Sequence, residues 1–199
     1  MGRKYQDTLA RQLQIVVAAR KLIVKYGSEH VTVRRIAKEV GISEAAIYRH
    51  FKSKKDILFL LVDHIENELL LDFTTGGSKE QSSLEVLDTM LKSHISAIEQ
   101  RRGVSFQIIA EIISFGDKKL NRKVEGTINK YIGCVKDLLY QGVKTGEVRE
   151  EIDLEAVATM LFGTIQGLVT TWALSNYSFN LQQKFEPLWN LIRESLVRR

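Results

Sequence analysis

Between Thr32 and Phe51 the chain reads TVRRIAKEVGISEAAIYRHF, placing Arg34, Arg35, Arg49 and His50 around a pair of small residues, Ala45 and Ala46. The chemistry open to this set is recognition rather than bond making. A guanidinium donates a bidentate pair of hydrogen bonds to a guanine edge, or binds a phosphate oxygen. Alanines in the first turn of a helix let its backbone approach base edges, where a bulky residue would hold it out of the major groove. Glu44 fits such a surface only by accepting from a cytosine amino group, because phosphates otherwise repel a carboxylate. Arg34 and Arg35 also fit as solvated surface charges; their place beside the motif favours a DNA contact for Arg34 and leaves Arg35 open. Enzymatic chemistry finds no support: His30, His50, His64 and His94 are scattered, with no nucleophile elbow, phosphate loop or metal-ligand spacing, so neither cofactor nor metal is expected.

Two short helices joined by a tight turn would position these side chains. Ile36, Ala37 and Val40 share one helical face, Gly41 can take the positive φ that ends a helix, and Ile42 opens the turn. Ser43 can cap a second helix and Glu44 suits its positive end, while Ala46, Ile47, His50 and Phe51 recur along it at helical spacing. This is the pattern of a helix-turn-helix. Upstream, Ile15, Ala18, Ala19, Leu22 and Ile23 predict a bracing helix from Thr8 to Tyr26, preceded by a disordered basic arm, Gly2 to Asp7. Thr32 can cap the helix that carries Arg34 and Arg35. Downstream, Ser53 and Asp56 predict a capping box opening a long helix through Phe73. Lys54 sits at that helix's N-terminus, where a cation opposes the dipole unless an anion lies close.

The sequence, 199 residues with 44% hydrophobic and 27% charged side chains, can build one sizeable core or two small ones. A single proline, Pro187, apolar residues at helical spacing and no convincing alternation point to an all-α fold of about nine helices. The net charge of +5 is unevenly spread: Met1 to Lys55 holds 13 Lys/Arg against 4 Asp/Glu, or +9, and the remainder 16 against 20, or −4. A basic end of this kind draws phosphate backbones by counterion release, whereas a membrane-surface helix would want tryptophan anchors beside the charge, and both Trp lie elsewhere. Cys134 alone forms no internal disulfide, and the first 25 residues lack an apolar secretory core, so a cytoplasmic location is expected.

From Thr32 to Leu58 the pattern T-V-R-x-I-A-x-x-x-G-I-S-x-A-x-I-Y-x-H-F-x-S-K-x-x-I-L resembles the N-terminal signature of the tetracycline-repressor (TetR) family, and Ile15 to Gly27 resembles its first helix. Where this chain has Ala45 and Ala46, the family often has Gly and Thr. The resemblance implies that Tyr48 and His50 donate to phosphates, that Arg34 touches base or phosphate, and that Lys54 meets a phosphate. With Thr32, Arg35, Ser43, Glu44, Ala45, Ala46 and Arg49 these form the expected DNA-binding set. It also implies a homodimer whose reading helices sit about 34–36 Å apart over a palindromic operator, and repression relieved by a small, largely apolar effector. In the family the effector pocket lies between the middle helices of the C-terminal body; here the candidates to line it are Met90, His94, Phe106, Ile109, Ile113, Tyr131, Cys134, Leu138, Met160 and Trp172. Each of these also fits as plain core.

The remaining elements follow from their punctuation. Thr74 to Ser83, TTGGSKEQSS, marks a junction, dividing the chain into a DNA-binding domain (1–55), a connecting helix and linker (56–78) and a ligand-binding and dimerisation domain (79–199). Ser82 with Glu85 opens a helix to about Gln100, Gly103 breaks it, a short apolar helix carries Phe106 to Phe115, and Asp117 caps another that closes at Gly146. Ala156 to Leu174 is uncharged over its length, as a membrane span would be, but its threonines, Gln166 and lack of basic flanks weigh against one. Gly163 and Gly167 in G-x-x-x-G register offer a smooth helix face. A last helix, Leu181 to Val197, shows a stripe of Leu188, Leu191, Ile192 and Leu196. Met160, Gly163, Gly167, Thr171, Leu188, Leu191 and Ile192 form the expected dimer interface, a bundle shared by two chains. The rival reading is a helical adaptor that binds proteins through this body and lacks sequence-specific DNA binding.

Overall fold

The computed structural model describes the backbone of residues 2–27, 31–74 and 81–197, and their side chains except those of 2–7 and 71–74. Among the described residues there are nine helices and no strand: α1 (Gly2–Tyr26), α2 (Val33–Val40), α3 (Glu44–Tyr48), α4 (Lys54–Thr74), α5 (Ser83–Gln100), α6 (Val104–Phe115), α7 (Lys118–Lys144), α8 (Leu154–Leu174) and α9 (Leu181–Leu196). The fold is all-α. The only sheet-like contact described is an isolated antiparallel bridge between Val148 and Val197.

Polar side chains three residues before an amide set most of the helix starts. The Ser82 hydroxyl accepts from Glu85 N at 3.2 Å while the Glu85 carboxylate accepts from Ser82 N at 3.0 Å, a complete capping box. Asp153 caps α8 through Ala156 N, and Asn180 caps α9 through Gln183 N. The residues expected to form a disordered arm are instead the start of α1, which begins at Gly2. Residues 3–8 contain no proline or glycine to interrupt it. Most of the expected junction, residues 75–80, lies outside the described residues.

The chain forms two compact units. The first comprises 1–66 with 107–125, so it takes in the end of α6 and the start of α7; the second comprises 67–106 with 126–199. In the first, Ile15, Ala19, Ile36, Ile47, Leu58 and Leu61 are buried, and α2 packs on both α1 and α3. In the second, α9 packs on α5 and α8. Leu181, Phe185, Trp189, Ile192 and Leu196 of α9 face this core, and the Trp189 indole donates to Asp88 at 2.7 Å. Ile192 therefore belongs to the interior and not to the exposed stripe it was expected to share with Leu188 and Leu191, because α9 turns this five-residue seam inward. α8 is long and apolar enough to cross a membrane, and Val157, Leu161, Ile165, Val169 and Trp172 form one buried stripe along it, with the opposite face open.

At the corner between α5 and α6, Gly103 takes φ +64, and a Cβ there would stand 2.9 Å from a Val169 methyl. Both the backbone and the neighbour exclude a side chain. Gly103→Ala is expected to lower stability by about 1–3 kcal/mol, measured as a shift of the urea midpoint at constant m-value; an unchanged midpoint would show that the corner relaxes freely.

Candidate functional site

Local caps build the reading head. The Thr32 hydroxyl accepts from Arg35 N at 3.2 Å to start α2, and α2 ends on Gly41 at φ 76 and ψ 34, with Gly41 N bonding Lys38 O and Ile42 N bonding Ala37 O. This left-handed reversal satisfies the last carbonyls of α2. Ser43 then caps α3 by accepting from Ala46 N at 3.2 Å. Each capping hydroxyl accepts in the cap and keeps its O–H to donate. α3 is shorter than the sequence pattern implies: it ends at Tyr48, and His50 N and Phe51 N both fold back to Ile47 O. The next helix's own capping box draws the Lys52 and Ser53 amides to the Asp56 carboxylate, at 2.8 and 3.0 Å, and ends α3 early.

With Ile36, Ala37, Ile47 and Phe51 turned inward, the opposite surface presents Thr32, Arg34, Ser43, Glu44, Ala45, Tyr48 and Arg49 as exposed residues, with Ala46 and His50 half-buried at its edge. Tyr48 is 53% exposed although aromatic. The two arginines of α2 differ. Both are exposed, but Arg35 lies with its guanidinium 5.5 Å from the centre of the Tyr26 ring, a cation–π contact. The surface is a hydrogen-bonding, cationic patch around two small residues, and it can receive phosphates and base edges.

Lys54 is placed differently from the sequence expectation of a side chain held out to an anion. Its ammonium stands 5.6 Å over the Phe115 ring, burial pushes its pKa below the usual lysine range, and the Glu111 carboxylate opposes that shift. Beside it Lys55 pairs with Asp117, whose carboxylate also caps α7 through Lys119 N and Leu120 N, and Lys123 pairs with Asp63. The end of α6 and the start of α7 thus hold the first three turns of α4. No pattern in the sequence pairs Lys54 with Phe115, 61 positions away.

In the second unit, His94 and Phe106 line a cavity with Glu68, Leu69, Ala97, Ile98, Arg101 and Ser105, and it leaves only about 10 Å³ for the centre of a water molecule. That is room for roughly one water, against roughly 300–1,000 Å³ for ordinary ligand sites. His94 is 3% exposed, its ring 5.4 Å from Tyr131, which in turn meets Phe162 at 5.7 Å. Met90 is buried, and Cys134 and Leu138 are half-buried on α7; burial raises the Cys134 thiol pKa and Asp137 adds to it. Trp172 is committed elsewhere, its indole donating to Phe179 O at 2.8 Å. Met160 is 46% exposed and does not join these residues. Ile109, buried, and Ile113, 57% exposed, belong to the first unit. Glu68, Arg101 and Ser105 were not expected at the cavity; a charged residue beside a helix break carries no sequence signal of its own.

The exposed face of the α8–α9 pair carries Met160, Gly163, Gly167, Thr171, Leu188 and Leu191. A Cβ on Gly163 or Gly167 would meet nothing within 4 Å, so both glycines lie open on the helix surface, and the Thr171 hydroxyl is satisfied by Gly167 O at 2.9 Å.

Residues 15–61 match the family model of bacterial regulatory proteins, tetR family, and residues 55–195 match that of the YsiA-like protein C-terminal region. The chain belongs to the TetR family. Among curated relatives, the fatty acid metabolism regulator protein of Bacillus subtilis (strain 168) is 26% identical over 187 residues, 94% of each chain. The nucleoid occlusion factor SlmA of Haemophilus influenzae (strain PittGG) is 27% identical over 183 residues, 92% of this chain and 84% of that one. Among solved structures, the fatty acid degradation regulator FadR from Bacillus halodurans superposes with a TM-score of 0.80 at 23% identity, covering 96% of this chain and 95% of that one. FadR from Bacillus subtilis, solved in complex with stearoyl-CoA, gives 0.77 at 24% identity over 92% and 98%. These TetR-family structures share the helix-turn-helix followed by a helical body.

Phe115→Ala should let water reach the Lys54 ammonium and raise its pKa toward the usual lysine range. A carbon-detected NMR titration of the Lys54 side chain checks this, and an unmoved midpoint would assign the desolvation to another group.

Proposed function

We propose that the protein is a transcriptional repressor that binds a palindromic operator as a homodimer in the cytoplasm and is released by an acyl-CoA or a related chain-bearing effector. The observation that carries this reading is the capped α2–α3 pair, with an apolar inner face and an outer face of Arg34, Ala45, Tyr48 and Arg49, in a chain of the TetR family. Tyr48, Arg49 and His50 anchor phosphates, Arg34 and Glu44 face base edges, and Ala45 and Ala46 allow close approach. The hydroxyls of Thr32 and Ser43 add donors, Arg35 lies at the rim, and Lys54 reaches a phosphate once it leaves Phe115. By role, residues 1–55 read DNA, 56–78 connect, and 79–199 sense and dimerise. Met160, Gly163, Gly167, Thr171, Leu188 and Leu191 supply the contact between copies, since an uncharged, glycine-notched face suits a close helix crossing.

The effector class is supported by the likeness to a regulator solved with stearoyl-CoA and by the apolar residues around His94. The cavity must widen to admit a chain, so binding is coupled to movement of its walls. A hundredfold preference of the effector for the form that does not fit the operator corresponds to about 2.7 kcal/mol of coupling.

Selection from a random duplex pool should return an inverted repeat with half-sites about one helical turn apart, bound with an affinity that falls steeply with salt. Stearoyl-CoA should dissociate that complex. Enrichment of no sequence, or a complex indifferent to stearoyl-CoA, would reject the operator and the effector respectively. Gly167→Leu should convert dimer to monomer in light scattering; an unaltered mass would move the interface elsewhere.

A further inference from the structure

The cavity beside His94 is bounded at one end by charge. The Ser105 hydroxyl donates to Glu68 Oε2 at 3.4 Å, and the Arg101 guanidinium approaches the same oxygen at 3.7 Å. A hydroxyl and a guanidinium converging on one carboxylate oxygen is the arrangement used to receive an anion. Here the anion is a side chain of α4. Apart from the buried His94, the rest of the lining, including Leu69, Ala97, Ile98, Val104 and Phe106, is apolar. An apolar wall ending in an anion-receiving point is complementary to an amphiphile, a hydrocarbon chain with a negative group at one end.

We infer that Glu68 is an internal stand-in for the effector's anionic group, occupying the Arg101–Ser105 point and closing the cavity until an anionic chain displaces it. This rests on the reading that a chain-bearing effector enters this unit, and adds which residues recognise its head and what they hold in its absence. The backbone of the receiving side is constrained. Arg102 holds a positive φ of 53 with its guanidinium 4.3 Å from the Tyr177 ring centre, and Gly103 is wedged against Val169. Arg101 and Ser105 flank this corner, which limits how far their backbone moves when Glu68 leaves. Glu68 approaches from α4, its side chain 24% exposed against 43% for Arg101. Displacement selects for charge: an anion recovers the contacts that Glu68 gives up, and a neutral head group of the same chain length does not.

Equilibrium dialysis of the full chain with dodecanoate, dodecanoyl-CoA and dodecanol tests this. Glu68→Gln keeps the shape but removes the competing charge, and should tighten binding of an anionic probe by about tenfold while leaving dodecanol unchanged. Arg101→Gln, a change at a partly exposed side chain, should weaken the same probe by about tenfold. A gain for dodecanoate alone places a carboxylate at the point, and a gain for dodecanoyl-CoA alone places the nucleotide phosphates there. Two outcomes overturn the inference while leaving the chain-bearing effector standing: anionic affinities that ignore both substitutions, or shifts equal for all three probes. If no probe binds the wild-type chain or either variant, the effector reading itself falls and takes this one with it.

Discussion

The path of the chain between α2 and α3 turns on Gly41, whose left-handed conformation lets the Gly41 and Ile42 amides close the end of one helix just before Ser43 starts the next. A residue with a Cβ is strained at that φ by about 1–2 kcal/mol, and the strain falls where two short helices have little of their own to resist it. α3 has five residues and cannot be stable alone. It exists because Ser43 caps it, Ile47 anchors it, and the bend at Gly41 delivers it to the core of the first unit. The outward placement of Tyr48 and Arg49 is the geometric remainder of that anchoring.

The same unit shows how charge is shared between structure and recognition. The basic end of the chain has a surplus of cations, but they are not equivalent. Lys55 pairs with Asp117, Lys21 with Glu39, and Lys54 is set against Phe115 and Glu111, while Arg35, though exposed, lies 5.5 Å from the Tyr26 ring centre. Arg34 and Arg49 are exposed on the outer face. A count of lysines and arginines thus overstates the charge a partner can meet, and the sorting follows from which side chains a neighbouring helix reaches.

What could be seen in the sequence was local. The caps at Thr32, Ser43, Ser53, Ser82 and Asp117 each join residues at most four positions apart, so residue type and spacing suffice to find them. The features that escaped depend on distant partners. Ile192 reads as part of the Leu188–Leu191 stripe until α5 and α8 define which side of α9 is interior. Lys54 reads as a phosphate partner, with nothing local to show that Phe115 reaches it from 61 positions away. The early start of α1 and the early end of α3 reflect, respectively, the lack of an interrupting residue and competition from the Asp56 carboxylate. The contact of Glu68 with Arg101 and Ser105 joins residues 33 and 37 positions apart, and neither separation has a period that a pattern search would recognise.

The chain has two tryptophans, and both are buried in the second unit, Trp189 bonded to Asp88 and Trp172 beside the Gly103 corner. Intrinsic indole emission is therefore silent about the helix-turn-helix and speaks only for the body. Trp172, in edge contact with Tyr177, stands next to the bend that carries Arg102, so its spectrum is a native optical probe of that corner without any label attached.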